Sequence, residues 1–187
     1  MTKLGSGITQ SAFRISLGAT DFVAKRVSAE SPDARTRMGV YKLLKEAHIL
    51  QVLREEHPNA MRVEGVCVFS EDGVMQKLDT GVTTVYEFQA DSEQIPSDFE
   101  PWRQLLQRFA QSSLGSIQLT DVKKEQFTVI RGGLNMHDMD DVFIHPSRDQ
   151  SIVYSNCNAV IRQLHVRIGI EQCVAGVLRQ HGSKQVS

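Results

Sequence analysis

The sequence predicts an α+β protein. Three observations lead there. Residues 11–27 read as two alternating strands around a glycine turn, residues 38–54 carry a helical apolar period, and a polar stretch at 89–97 divides this sheet-rich half from a helical segment.

The strands come first. Ser11–Leu17 alternates Phe13, Ile15 and Leu17 with polar residues, the pattern of a half-buried strand. A Gly18-Ala19-Thr20-Asp21 turn leads into Phe22–Val27, which completes an antiparallel hairpin. Ahead of it stands Gly5-Ser6-Gly7-Ile8-Thr9-Gln10. A glycine pair lets the backbone approach a phosphate with no Cβ in the way, and a plain turn uses the same residues. Lys25 sits inside an apolar strand, where a lysine either snorkels to water or meets a fixed anion.

Ser28–Arg37 reads as a polar loop with a Pro-Asp turn. Met38–Arg54 is the predicted helix: Val40, Leu43, Leu44, Ala47 and Leu50 follow the 3.6-residue period, and His57-Pro58-Asn59 ends it. Glu46 lies near the edge of the apolar face. It can reach a buried lysine on a neighbouring sheet or pair locally with Lys42 or Arg54. Met61–Phe69 and Val82–Phe88 are the next predicted strands, separated by a Ser70-Glu71-Asp72-Gly73 turn. Beyond the polar linker, Phe99, Trp102, Leu105, Leu106, Phe109 and Ala110 fall at helical spacing and read as core.

Leu119–Ile130 and Leu134–Asp141 then flank a Gly132-Gly133 turn, each run with an acid at one end. This predicts a hairpin presenting Asp121 and Asp138 on one side. Phosphoryl transfer uses such a pair: one carboxylate receives the hydroxyl proton, another holds Mg²⁺ on the phosphates. Acids beside turns are also ordinary solvated residues. His145–Asp149 breaks the chain, and Val160–Leu178 reads as mixed helix interrupted by Gly169.

Composition narrows the classes. At 187 residues the chain is one domain, or a domain and a piece. A net charge of −1 gives no electrostatic reason to bind nucleic acid or an acidic membrane surface. No apolar run reaches the length of a membrane span, and Met1–Gly7 lacks the apolar core of a signal peptide, which reads as either a cytoplasmic protein or a missing N-terminus. Cys67, in an apolar run, reads as a small buried hydrophobe. Cys157 and Cys173 either pair in an oxidising compartment or remain free thiols. There is no CxxC, HExxH, GxSxG or EF-hand loop.

The order of these features resembles the protein kinases: a glycine loop, a strand lysine, a helix glutamate, then two acids. Asp121-Val122-Lys123-Lys124-Glu125-Gln126 resembles the kinase catalytic loop D-L-K-P-E-N in spacing, and Asp138-Met139-Asp140 falls where D-F-G stands. Leu114-Gly115-Ser116-Ile117-Gln118-Leu119, Gln126-Phe127 and Asp138-Met139-Asp140-Asp141 look like the PKDCC (vertebrate lonesome kinase) family of secretory-pathway tyrosine kinases. Leu43-Leu44-Lys45-Glu46 and Thr83-Thr84-Val85 are similar to that family too, and the resemblance covers about residues 4 to 142.

The resemblance implies a kinase-like fold: an antiparallel sheet lobe with one long helix in residues 1–90, and a partial, mostly helical lobe in 91–187. Gly5 and Gly7 would cover the phosphates of ATP, and Lys25, held by Glu46, would contact them. Glu87–Gln89 would lie beside adenine. Asp121 would orient the attacking hydroxyl of a protein substrate, a tyrosine by resemblance, while Gln126 and Asp138 would hold Mg²⁺ or Mn²⁺. The compartment implied is the Golgi or the extracellular space.

The chain also departs from the kinase pattern. Gln10 replaces the third loop glycine, Leu119-Thr120 stands for His-Arg, Gln126 for Asn, and Asp140 for the glycine of D-F-G. Only 46 residues (187 − 141) follow Asp141, with no A-P-E among them, which reads as a truncated lobe. The alternative to an active kinase is therefore a pseudokinase or fragment that binds nucleotide or protein.

Overall fold

The computed structural model describes residues 2–6, 10–27, 33–68, 82–88 and 95–179, with the side chains of 33–36 and 67–68 excepted. The expectations for Gly7 and Gln89, and for the Cys67 side chain, lie outside what is described. The chain divides into two compact units, Met1–Asp91 with Asp138–Asp140, and Ser92–His137 with Asp141–Ser187.

The first unit is a five-stranded antiparallel sheet and one long helix. The strands are β1 (Thr2–Ser6), β2 (Gln10–Leu17), β3 (Thr20–Val27), β4 (Val63–Val68) and β5 (Val82–Glu87), in the order β1-β2-β3-β5-β4. The β2–β3 turn is tighter than its sequence suggests. Leu17 pairs with Thr20, so Gly18 and Ala19 make the whole turn, and Thr20 and Asp21 already belong to β3. Gly5 is a strand residue opposite Ala12, not part of a loop.

The helix, α1 (Asp33–Glu56), starts five residues before the predicted Met38. Its first turns are polar, so they carry no apolar period. Leu43, Ala47, Ile49, Leu50 and Leu53 are buried, and α1 packs on β3, β4 and β5. Leu44, expected on this face, is exposed together with Met38 and Tyr41. Met38, Tyr41 and Leu44 are spaced three residues apart, so they line one outer stripe of the helix, and Leu44 falls outside the buried face.

The second unit is mostly helical. It holds α2 (Phe99–Gln111), α3 (Gln150–Leu164) and α4 (Ile170–Leu178), with two short sheets, β6 (Ser116–Gln118) with β9 (Phe143–His145) and β7 (Phe127–Ile130) with β8 (Gly133–Met136). The α2 stripe is core: Trp102, Leu105, Leu106 and Phe109 are at most 2 % exposed, which leaves no room for a ligand on that face. Trp102 donates its indole N–H to the Pro96 carbonyl at 2.8 Å and meets Phe127 edge-on at 4.9 Å.

The predicted hairpin exists but is short. Its turn is Arg131-Gly132, both at positive φ (50° and 74°), the geometry that matches the twist of two-residue hairpins, and Gly133 is the first residue of β8. Asp121 and Asp138 both lie outside the strands and belong to different units. Gly115, at φ 112°, brings the backbone against β9, and a Cβ there would strike the His145 carbonyl oxygen.

The mixed helix expected over 160–178 is two helices. α3 begins at Gln150, where the Asp149 carboxylate accepts the Ser151 N–H at 2.8 Å. It ends at His165 in the left-handed conformation, and Gly169 is the residue that starts α4. Cys157 and Cys173 form a disulfide between these helices, with Cα atoms 5.9 Å apart. Among the described residues no helix is long and apolar enough to cross a membrane.

Candidate functional site

In the first unit, three residues far apart in sequence converge on one ammonium group. Lys25 leaves the middle of β3, its backbone opposite Ala12 and Thr84. Only 12 % of its side chain is exposed. The expected alternatives were a snorkelling lysine or one held by a fixed anion, and the second holds. Lys25 Nζ lies 2.8 Å from Glu46 Oε1 and donates to Glu46 Oε2 at 2.9 Å. Asp138 Oδ1 is 3.5 Å away. Glu46 sits on the buried face of α1 and is fully buried. Its Oε2 also accepts the backbone N–H of Met139 at 3.0 Å.

Burial works against both charges of this pair. It pulls the Lys25 ammonium down, but the Glu46 and Asp138 carboxylates outweigh it, and the lysine is held protonated above its ordinary range. Burial pushes the Glu46 carboxyl above its ordinary range, while Lys25 pulls it back. The Tyr86 ring lies 5.7 Å from Lys25 Nζ, and burial, followed by the Glu46 charge, drives its phenol far above the ordinary range.

Glu87 is placed differently. Its N–H donates to the Arg62 carbonyl at 3.1 Å, and its Oε1 accepts the Arg62 N–H at 2.8 Å. Both groups are engaged by the Arg62 backbone. Gly5, on β1, has nothing within 4 Å of where a Cβ would stand, so internal packing does not require a glycine there.

In the second unit, Asp121 stands in a loop between two buried anchors, Leu119 and Val122. Its carboxylate is 57 % exposed and pairs with Lys123 Nζ at 2.5 Å. The loop is tied to α3. Asn156 accepts the Leu119 N–H and donates to the Ile117 carbonyl, both at 2.8 Å, and Gln163 Oε1 accepts the Val122 N–H at 3.0 Å. Thr120 donates its hydroxyl to the Asp141 carbonyl. Gln126 is buried at the end of a 3₁₀ turn, and its Oε1 accepts the Lys123 N–H at 2.7 Å. The amide oxygen therefore already carries one hydrogen bond, and a second lone pair remains.

Lys25, Glu46 and Asp138 are thus brought together, while Asp121 and Gln126 are fixed in the second unit. The sequence reading missed Asn156 and Gln163, which hold the Asp121 loop, and the Met139 N–H. One signal was present. Ile152, Val153, Asn156, Cys157 and Val160 follow a helical period, and a polar residue within a buried stripe has a partner to satisfy.

A five-stranded antiparallel sheet with a strand lysine ion-paired to a buried helix glutamate, joined in sequence to a mostly helical unit, is a protein kinase-like fold. No protein-family model matches the chain. It is similar to the extracellular tyrosine-protein kinase PKDCC of Homo sapiens, 30 % identical over 161 residues, which covers 74 % of this chain and 31 % of that protein. The chain is kinase-like in fold and divergently similar to PKDCC, and it spans about a third of that relative's length.

Proposed function

We propose that the chain is an ATP-dependent protein kinase of tyrosine specificity, acting in the secretory pathway. The observation that carries this is the Lys25–Glu46–Asp138 cluster: a desolvated ammonium fixed by one buried carboxylate and flanked by a second that is 40 % exposed. A protonated lysine held so rigidly suits phosphate oxygens, and Asp138 offers a hard oxygen donor to a divalent cation. Among the described residues no three acids, histidines or cysteines form a ready-made cation cage. Nucleotide-bound Mg²⁺ needs only one or two protein oxygens, since phosphates and water supply the rest. Asp138 and the remaining lone pair of Gln126 would supply them, and the ion would neutralise charge on the phosphates. Asp121 would receive the proton of the attacking tyrosine hydroxyl. Gly5 and Gly7 would lie over the phosphates. The chain from Glu87 to Gln89 would flank adenine, though Glu87 would not use its N–H or the carboxylate oxygen held by Arg62. The likeness to an extracellular tyrosine-protein kinase supports tyrosine as acceptor and an extracellular setting, and the Cys157–Cys173 disulfide supports an oxidising compartment.

Incorporation of labelled phosphate into a tyrosine-containing polymer tests the transfer. Asp121→Asn and Asp138→Ala are the informative variants, because both side chains are substantially exposed and neither anchors the core. Each is expected to lower the rate by about 100-fold or more, the scale of losing one group from a preorganised site. Equal incorporation by wild type and both variants would remove the enzymatic reading.

One observation favours a second reading, a pseudokinase that binds nucleotide without transferring phosphate: the Gln126 oxygen is already engaged by Lys123. Thermal unfolding separates the two. ATP-Mg²⁺ at about 100 times its Kd is expected to stabilise the first unit by ~2.7 kcal/mol under either reading. A shift without incorporation selects the pseudokinase, and no shift at millimolar nucleotide eliminates both.

A further inference from the structure

Asp140 occupies the position where kinases carry the last glycine of D-F-G, and in this structure it has a partner. Lys42 Nζ lies 3.4 Å from Asp140 Oδ2. Lys42 precedes Glu46 by four residues on α1, so the two share a helix face one turn apart. Both members are largely withdrawn from water, with 22 % of Lys42 and 14 % of Asp140 exposed, so solvent screens this pair less than a surface ion pair.

The contacts form a ladder. Asp138 meets Lys25, the Met139 N–H meets Glu46, and Asp140 meets Lys42. Three consecutive residues are met by one lysine from β3 and two residues from α1. The Met139 side chain between them is fully buried. Among the described residues after 94, only Asp138–Asp140 groups with the first unit.

We propose that Lys42 and Asp140 are positioning residues. Their ion pair docks α1 on the Asp138–Asp140 segment, so that Glu46 meets Lys25 without covalent modification or a partner protein. This deepens the kinase reading given above and rests on it. The electrostatics argue for a paired Asp140. Glu46, Asp138 and Asp140 place three carboxylates near Lys25, and Asp140 acts on the Lys25 ammonium as well. Lys42 balances the third carboxylate. Without it, Asp140 competes with Glu46 for Lys25 and repels both neighbouring acids.

The test reads the docking directly, through hydrogen exchange of the Met139 amide in the full chain without nucleotide. Lys42→Met keeps the apolar stem and removes the charge, and Asp140→Asn removes the opposite one. Each is expected to speed Met139 exchange by about tenfold, between what exposed and buried pairs provide. Exchange in the β2–β3 hairpin should stay unchanged, which shows the unit is folded. The charge swap Lys42→Asp with Asp140→Lys is expected to return Met139 exchange to within about threefold of wild type, as coupled neighbours should. The ATP-Mg²⁺ Kd of the same proteins is expected to weaken about tenfold in the single variants and recover in the swap.

Single variants with wild-type Met139 exchange overturn the proposal, and so does a swap that exchanges no more slowly than the worse single variant. A wild-type protein that binds no nucleotide overturns the kinase reading instead, and the exchange arm still judges the docking.

Discussion

Lys25→Met is expected to destabilise the first unit by about 3–5 kcal/mol, the cost of leaving a buried charge without its partner. The side chain lost is almost wholly desolvated, and the one left behind, Glu46, is fully buried. Met fills the space of the lysine stem, so the cost is mainly electrostatic. That gives it a pH signature. Burial already holds the Glu46 carboxyl above its ordinary range, and Lys25, helped by the Tyr86 hydrogen bond, pulls it back. Without Lys25 the carboxyl rises further. A carboxyl raised in the folded state binds more protons folded than unfolded, so stability falls as pH climbs from the unfolded value, about 4.3, toward the folded one. The cost of the substitution is therefore smallest near pH 4 and grows as pH rises toward the folded value. Glu46→Gln in the same background should recover most of it. Amide exchange across β3 and β5 at two pH values measures this, and an equal cost at both would place the cause in packing instead of charge.

Reducing the disulfide is expected to cost the second unit about 3 kcal/mol, since the bond ties together residues 16 apart in the unfolded chain. Both cysteines are fully buried, and α3 and α4 pack on each other and on α2. Trp102, the single tryptophan, sits on α2 and reports the unfolding of this unit by fluorescence. Dithiothreitol should lower the urea midpoint of wild type. The Cys157→Ala, Cys173→Ala double variant should start from a lowered midpoint that reductant leaves alone. A wild-type midpoint indifferent to reductant would show that the two thiols are not paired in solution.

Elements that half-bury were readable in the sequence, and those that do not were lost. β2 and β3 alternate because one face meets the core, and α2 carries a full apolar stripe. β1 is exposed along its whole length, so its residues carry no alternation and read as a loop. The start of α3 was missed for another reason. Ser151, Asn156 and Asn158 interrupt its apolar residues, and Asn156 is buried because the loop backbone at Ile117 and Leu119 satisfies its amide. No local pattern announces a partner 37 residues away. The same holds for Lys25 and Glu46. Each had an ordinary local explanation, and the resemblance to kinases joined them across 21 residues. The two cysteines lie on different helices, so their pairing depended on a helix packing that spacing does not encode.

The hydrogen bond from Met139 to Glu46 has a genetic consequence. Its donor is main chain, and every residue except proline carries the same N–H. Drift at position 139 is therefore free to change the side chain, within the volume a buried site accepts, while the contact persists. Positions 25 and 46 have no such freedom, because their bond is made of side chains alone. Mutational tolerance along this short ladder is set by which atoms make each rung, more than by how near each residue lies to the chemistry.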